Sequence, residues 1–285
     1  MNMQNVSVGV VGAGVMGSGI AQVMATAGYS TVLYARRPEA VEVALQGILA
    51  SLIKLHGKSV VQEEPAAILA RIMPCHELSG LAGCSLIIEA ITEDIQAKCQ
   101  LFTALDGIIK PTAVLATTTT SLSITQLAGA LRRPEQFVGM HFMNPVPLME
   151  VVELIAGQQT SDATGELARE VVTATGKQYV ASADRPGFII SRLLIPPINE
   201  AFELLREGVA DAVAIDTAMK LGANHPMGPL ALADLIGLDV ILAAMETLMN
   251  GLDAHKYAAS PLLREYVAQG RLGRKSGQGV YCYGI

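Results

Sequence analysis

The chain has 285 residues, 51% of them hydrophobic and 16% charged, and a formal net charge of -6. That apolar share excludes a disordered chain, and the acidic balance argues against general affinity for nucleic acid or an anionic membrane. At ~150 residues per domain, the length points to two domains.

No charged residue precedes Arg36, so the first segment could be taken for a leader or a membrane span. The start Met1-Asn2-Met3-Gln4-Asn5 lacks the basic region of a signal peptide, and six glycines interrupt the first 35 residues. A spanning helix needs ~20 mostly apolar residues without such interruption. Both readings are set aside, and the expected setting is soluble and cytoplasmic.

Val6 to Val11 is a short valine-rich run, read as a buried strand, and Gly12-Ala13-Gly14-Val15-Met16-Gly17 follows at once. Ile20 to Ala25 has helical spacing and Gly28 stops it. Thr31 to Tyr34 is a second strand and Pro38 to about His56 a helix. A third strand is expected at Ser85 to Glu89, then a helix around Gln96 to Leu105. Val114 to Thr117 and Phe137 to Met140 complete the strands. Strands alternating with helices imply a mostly parallel, doubly wound, Rossmann-like α/β sheet. Beyond Pro186-Gly187 helical periodicity takes over, with helices expected at Ile189 to Leu205, Asp211 to Leu221, Pro229 to Asn250 and Pro261 to Gln269. The expected domains are therefore 1–186, binding a dinucleotide, and 187–285, all helical.

Cys75, Cys84, Cys99 and Cys282 form no zinc-like pattern and read as reduced, mostly buried thiols, so no metal is expected.

Gly12, Gly14 and Gly17 have G-x-G-x-x-G spacing between a strand and a helix. The first allows a tight turn, the second a close approach of backbone to pyrophosphate, the third close packing of helix on strand. The helix start at Val15 and Met16 offers N–H groups to the anion. The alternative is a glycine-rich turn without a ligand. The second strand of such a fold usually ends in an acidic residue that holds the ribose 2′-hydroxyl. Here it ends Leu33-Tyr34-Ala35-Arg36-Arg37. Two guanidinium groups without the carboxylate suit a 2′-phosphate. The expected cofactor is NADP(H), with NAD(H) as the alternative. The alternative is that both arginines are solvated surface residues.

His141-Phe142-Met143-Asn144-Pro145 follows a strand, where a sheet presents ligand-binding groups. A histidine there could take a hydroxyl proton near neutral pH. Glu153, twelve positions on, could fix its tautomer, although spacing alone does not show contact. The alternative is a hydrogen-bonded structural histidine. Thr117 to Ser121 supplies hydroxyls at a sheet terminus, and also an N-cap for a helix near Ser123. His225, in Asn224-His225-Pro226-Met227-Gly228-Pro229, reads as part of a chain reversal.

Across nearly its whole length the chain resembles the L-3-hydroxyacyl-CoA dehydrogenase family, in particular its bacterial members acting on 3-hydroxybutyryl thioesters. The resemblance rests on Val10 to Gly17, Ile88 to Glu93, Gly139 to Pro147, Asp184 to Phe188, Ala218 to Pro229 and Leu272 to Gly277. It implies hydride transfer between a nicotinamide and the 3-position of an acyl-CoA. It also implies a site between the domains and a homodimer through the helical domain. Carried over residue by residue, His141 is the base and Glu153 its partner. Glu93, Lys98, Asn144 and Lys275 match dinucleotide contacts. Ser51 and Lys58, on the helix after the second strand, match CoA contacts, with Lys54 one turn away. The alternative for these lysines is a solvated helix face.

Three departures stand out. Thr120 replaces the family's active-site serine, with Thr118 in place of a nearby asparagine. Ser191 replaces an asparagine that helps bind the substrate carbonyl. Ala35 replaces the acidic residue. Carrier-bound acyl groups or a non-CoA 3-hydroxy acid are therefore alternative substrates, and a non-catalytic dinucleotide-binding protein is the alternative of another class.

Overall fold

In the computed structural model residues 6–284 are described. The chain forms two compact units, divided between Asp184 and Arg185. The first is built on an eight-stranded sheet. Its strands are β1 (Ser7–Val11), β2 (Ser30–Tyr34), β3 (Ile72–Cys75), β4 (Leu86–Glu89), β5 (Val114–Thr117), β6 (Phe137–Phe142), β7 (Val151–Ala156) and β8 (Gln178–Ala183). Their order across the sheet is β3-β2-β1-β4-β5-β6-β7-β8. Every neighbouring pair is parallel except β6 with β7. The chain runs outward from β1 through β2 to β3 and then returns to the other side of β1 as β4. That reversal is the switch point at which such sheets hold ligands, outside the carboxyl ends of the strands.

The central strands are apolar on both faces because helices cover both. Residues Val8, Val10, Leu86, Ile88 and Ala116 are fully buried. The helices are α1 (Val15–Thr26), α2 (Pro38–His56), α3 (Pro65–Leu69), α4 (Ile95–Asp106), α5 (Ile124–Ala128) and α6 (Asp162–Ala174). Asp94, Ser123 and Ser161 each accept a hydrogen bond from a first-turn N–H of the helix that follows, which satisfies donors that have no intrahelical partner.

Three strands escape the sequence reading. β3 is Ile-Met-Pro-Cys at the sheet's edge, where Pro74 needs no ladder donor. β8 is the opposite edge, half exposed and without an apolar run. β7 carries one carboxylate, Glu153, inside an otherwise apolar run. The strand expected third is therefore the fourth.

The second unit holds α7 (Ile190–Arg206), α8 (Ala212–Gly222), α9 (Pro229–Ile236), α10 (Leu238–Gly251) and α11 (Pro261–Ala268). They close on a core that includes Phe202, Leu230, Ile241, Leu248 and Leu263. The single helix expected from Pro229 to Asn250 is two. Gly237 takes φ +110 between them, a conformation that glycine adopts without penalty. Two buried aspartates are held by backbone donors rather than cations. Asp216 accepts from Leu230 N and Ala231 N at the start of α9, and Asp234 from Val280 N and Tyr281 N.

No described helix is long and apolar enough to cross a membrane. The four cysteines are free, but only Cys84 is buried. Cys75 and Cys99 are half-buried and Cys282 is exposed, which corrects the expectation of mostly buried thiols.

Candidate active site

The glycine loop sits at the carboxyl end of β1. Gly12 has φ +117, and a Cβ there would strike the backbone carbonyl of Ala90. A Cβ on Gly17 would strike the carbonyl oxygen of Gly12. These two glycines are required by the protein's own packing. Gly14 differs, since a Cβ there would meet nothing within 4 Å. Its Cα faces an open cradle at the start of α1, whose first turn has no acidic side chain and no side-chain cap. The exposed helix start at Val15 and the half-buried Met16 leave room for a pyrophosphate, so the residues fit a dinucleotide.

At the end of β2, Gly12 N donates to the Tyr34 carbonyl and Ala35 N to that of Cys75. Arg36 and Arg37 follow, both exposed. Neither makes an ion pair among the described residues, and the nearest acid in the chain is Glu39, in the first turn of α2.

A connected polar network occupies the carboxyl ends of β4 and β5. Glu89, the last residue of β4, is fully buried. Its Oε1 accepts from Lys98 Nζ at 2.6 Å and from Ile91 N at 2.7 Å, and its Oε2 accepts from Thr117 Oγ1 at 2.6 Å. Lys98, 1% exposed, also lies 3.4 Å from Glu93 Oε2. Glu93 Oε1 in turn accepts from Thr119 Oγ1, Thr120 N and Ser121 N. Glu93 and Lys98 are thus brought together with Thr120. Lys98 is not a surface lysine, because its ammonium is directed at two carboxylates.

The histidine and its partner lie on the one antiparallel pair of the sheet. His141 opposes Glu153 in the β6–β7 register. Its Nδ1 is 2.7 Å from Glu153 Oε2. His141 is 5% exposed and Glu153 fully buried. The carboxylate can only accept, so Nδ1 donates, which assigns the acceptor lone pair of the ring to Nε2. Next to it, Phe142 N donates to Thr118 Oγ1, tying β6 to the hydroxyl loop. Asn144 is exposed in the turn after β6.

Other expected residues lie elsewhere. Ser191 is buried in the first turn of α7, in the second unit. Lys275, in the same unit, is ion-paired to Asp239. Ser51 is half-buried on α2 and Lys54 is exposed on it. Lys58 is not on that helix. α2 ends at His56 with Gly57 as its cap, and Lys58 falls in the following turn, its N–H donating to the Leu55 carbonyl.

Three positions missed by sequence reasoning support the site. Glu89 could have been found as the one charge ending an otherwise apolar strand. Lys177, buried after α6, donates to the carbonyls of Val146 and Met149 at 2.7 and 2.5 Å and so holds the loop between His141 and Glu153. Burial holds its ammonium below the ordinary lysine range, partly offset by Glu150. Asp184 accepts from Ser123 Oγ, Ile124 N and Thr125 N at the start of α5. Nothing in the local sequence around the last two signals these long-range bonds.

A glycine loop at the switch point of a parallel sheet, with a buried imidazole–carboxylate pair along the same carboxyl edge, defines a dinucleotide-dependent oxidoreductase. Comparison with known proteins narrows the class. Residues 7–185 match the NAD binding domain of 3-hydroxyacyl-CoA dehydrogenase, and residues 187–283 its C-terminal domain. A probable 3-hydroxybutyryl-CoA dehydrogenase of Deinococcus radiodurans is 50% identical over 275 residues, 96% of this chain and 99% of that protein. A 3-hydroxybutyryl-CoA dehydrogenase of Bradyrhizobium diazoefficiens is 50% identical over 277 residues, 97% of this chain and 94% of its own length. The crystal structure of (S)-3-hydroxybutyryl-CoA dehydrogenase from Ralstonia eutropha superposes with a TM-score of 0.91 at 44% identity, covering 98% of this chain and 99% of that one. The chain therefore belongs to the 3-hydroxyacyl-CoA dehydrogenase family, whose chemistry is hydride transfer between a nicotinamide dinucleotide and the 3-position of a 3-hydroxyacyl-CoA.

Proposed function

We propose that this protein interconverts short-chain 3-hydroxyacyl-CoA and 3-ketoacyl-CoA, with His141 as the general base or acid and Glu153 as its charge partner. One observation carries the reading: the 2.7 Å contact between His141 Nδ1 and Glu153 Oε2 in a buried setting beside the glycine loop's sheet edge. Bound nicotinamide would supply the hydride acceptor or donor. The protein's own part is proton handling. In the oxidative direction Nε2 takes the 3-hydroxyl proton, and Glu153 offsets the positive charge that grows on the ring. In the reductive direction the protonated ring returns it. Thr120 and Ser191 are proposed to bond the reacting oxygen. The backbone N–H groups of Val15 and Met16, with Glu93, Asn144 and Lys275, are assigned to the dinucleotide, and Ser51, Lys54 and Lys58 to the CoA moiety. Lys98 acts with Glu93.

The cofactor is proposed to be NADP(H) in preference to NAD(H). Support comes from Ala35 in the place of a carboxylate and from two exposed arginines without ion pairs among the described residues. The protein is further proposed to be a cytoplasmic homodimer through its helical unit. The exposed Leu193, Val213 and Leu221 of that unit support the dimer, and the four free thiols support a reducing compartment.

The test is a matrix of NADH and NADPH against acetoacetyl-CoA, longer 3-ketoacyl-CoAs and a carrier-bound 3-ketoacyl group. Highest kcat/KM is expected for NADPH with acetoacetyl-CoA. A preference for NADH removes the 2′-phosphate reading. A preference for the carrier-bound substrate removes the CoA reading. Light scattering during size-exclusion chromatography gives the oligomeric state, and a monomer removes the dimer.

A further inference from the structure

Glu89 has no role in the chemistry just described, yet its carboxylate accepts three hydrogen bonds at the sheet's carboxyl edge, from Ile91 N, Lys98 Nζ and Thr117 Oγ1. It closes a strand, Leu-Ile-Ile-Glu, in which every residue is buried. Burying a charge pair is seldom the cheapest way to stabilise a core, since apolar residues of similar volume do as well or better. Stability is therefore a weak explanation for Glu89 and Lys98. Their connections suggest another. Glu89 Oε1 fixes Ile91 N, within the Ala90–Ile91 turn that packs against Gly12 of the phosphate loop. Its Oε2 fixes Thr117 at the root of the hydroxyl loop. Through Lys98 it reaches Glu93, which gathers Thr119, Thr120 and Ser121. One buried carboxylate thus connects both loops that flank the switch point.

We propose that Glu89 is a positioning residue of the dinucleotide site, holding Lys98 so that Glu93 and the 119–121 loop are set relative to the glycine loop. This rests on the reading that Glu93 and that loop face the dinucleotide. The row of charges also matters: Glu89 and Glu93 are joined by a single cation, so the array carries one net negative charge. Substituting Glu89 by glutamine leaves an acceptor and a similar volume but releases Lys98 to pair with Glu93 alone, pulling that carboxylate away from the loop.

The experiment uses the full chain with Glu89→Gln, Lys98→Met, the double variant and Glu93→Gln. Dinucleotide Kd is read by nicotinamide fluorescence, KM for dinucleotide and for acetoacetyl-CoA by steady-state rates, and folding by Tm. Losing a charge-assisted hydrogen bond corresponds to ~10-fold or more in dinucleotide Kd and KM for Glu89→Gln and for Lys98→Met. Thr120 belongs to the displaced loop, so KM for acetoacetyl-CoA is expected to rise as well, while the Tm of the folded variants stays close to the parent's, a split that general destabilisation does not produce. The double variant removes both charges together, so it folds even if a single variant does not, and it still binds dinucleotide weakly. Parent-like dinucleotide affinity in the folded double variant overturns the proposal, as does a double variant that fails to fold. The site reading is tested separately by Glu93→Gln. If that variant weakens dinucleotide binding while the Glu89 and Lys98 variants do not, only the Glu89 proposal falls. If it leaves dinucleotide binding unchanged, the site reading falls and takes the proposal with it.

Discussion

Replacing Glu153 with glutamine removes one charge and little else. The amide has nearly the same shape, and its carbonyl can still accept from His141 Nδ1. What disappears is the attraction between the carboxylate and the positive charge that develops on the ring. At the 2.7 Å separation of Nδ1 and Oε2, an effective dielectric of ~20 gives ~6 kcal/mol for two full charges. If about half of the ring charge has developed in the transition state, ~3 kcal/mol is lost, or ~10²-fold in kcat. The amide also lets the ring turn to the other tautomer, which adds to the loss. The assay follows acetoacetyl-CoA reduction through consumption of the reduced nicotinamide, with Tm and dinucleotide Kd measured alongside. The expected result is a fall in kcat with both KM values nearly unchanged. A kcat within ~3-fold of the parent, in a folded variant that binds dinucleotide normally, would refute the dyad.

Gly14→Ala is expected to fold with a nearly unchanged Tm, since its Cβ meets nothing, while raising the dinucleotide KM ~10-fold or more by intruding on the pyrophosphate. Gly17→Ala drives a Cβ into the Gly12 carbonyl and should lower Tm, so equal behaviour of the two variants in thermal melts would contradict the cradle. Burial pushes the Cys84 thiol up to about 11, so alkylation with mass-spectrometric mapping at mildly alkaline pH should label exposed Cys282 first and Cys84 only on unfolding. Because Lys177 is held below the ordinary lysine range, the unfolded chain binds more protons there than the folded one. The parent's stability relative to Lys177→Met should therefore rise as pH increases from Lys177's lowered value through the ordinary lysine range. Urea melts of both proteins across that range check the sign, and a falling difference would be inconsistent with a buried ammonium.

Much of this was legible in the chain because it is written in local patterns. The β1–glycine–α1 unit is contiguous, and its three glycines are needed for reasons a spacing can express. α2 follows directly from Pro38 and the apolar period after it, and Ser123 signals α5 by its capping position. The edge strands were not legible, because Pro74 in β3 and the exposed side chains of β8 erase the alternation that marks a half-buried strand. The break at Gly237 hides inside a run whose period continues on both sides. Lys98 shows the limit for the site: the resemblance marks the residue, but only the fold reveals that its ammonium is committed to Glu89 and Glu93 rather than exposed. Lys177 and Asp184 act on residues far away in sequence, 31 positions to Val146 and 61 to Ser123.

The twelve-residue interval between His141 and Glu153 has a geometric origin. β6 and β7 are the only antiparallel neighbours in the described sheet, and their register pairs Gly139 with Ile155, Met140 with Leu154, His141 with Glu153 and Phe142 with Val152. Directly opposed residues of an antiparallel pair carry their side chains on one face, with Cβ atoms about 5 Å apart. A parallel pairing here would require a crossover and could not join imidazole and carboxylate through one short turn. The cost of this arrangement is sensitivity. Because side chains alternate between faces, a slip of one residue in β7 would bring Val152 or Leu154 opposite His141 and send Glu153 to the other face of the sheet. The apolar neighbours Val152 and Leu154 guard against this, since both are buried and the slip would exchange them with the carboxylate. Lys177 adds a second restraint by tying down the Val146 and Met149 carbonyls of the connecting turn. The reversal of strand direction at β7 is thus the feature of the fold that turns a structural histidine into one with a fixed tautomer.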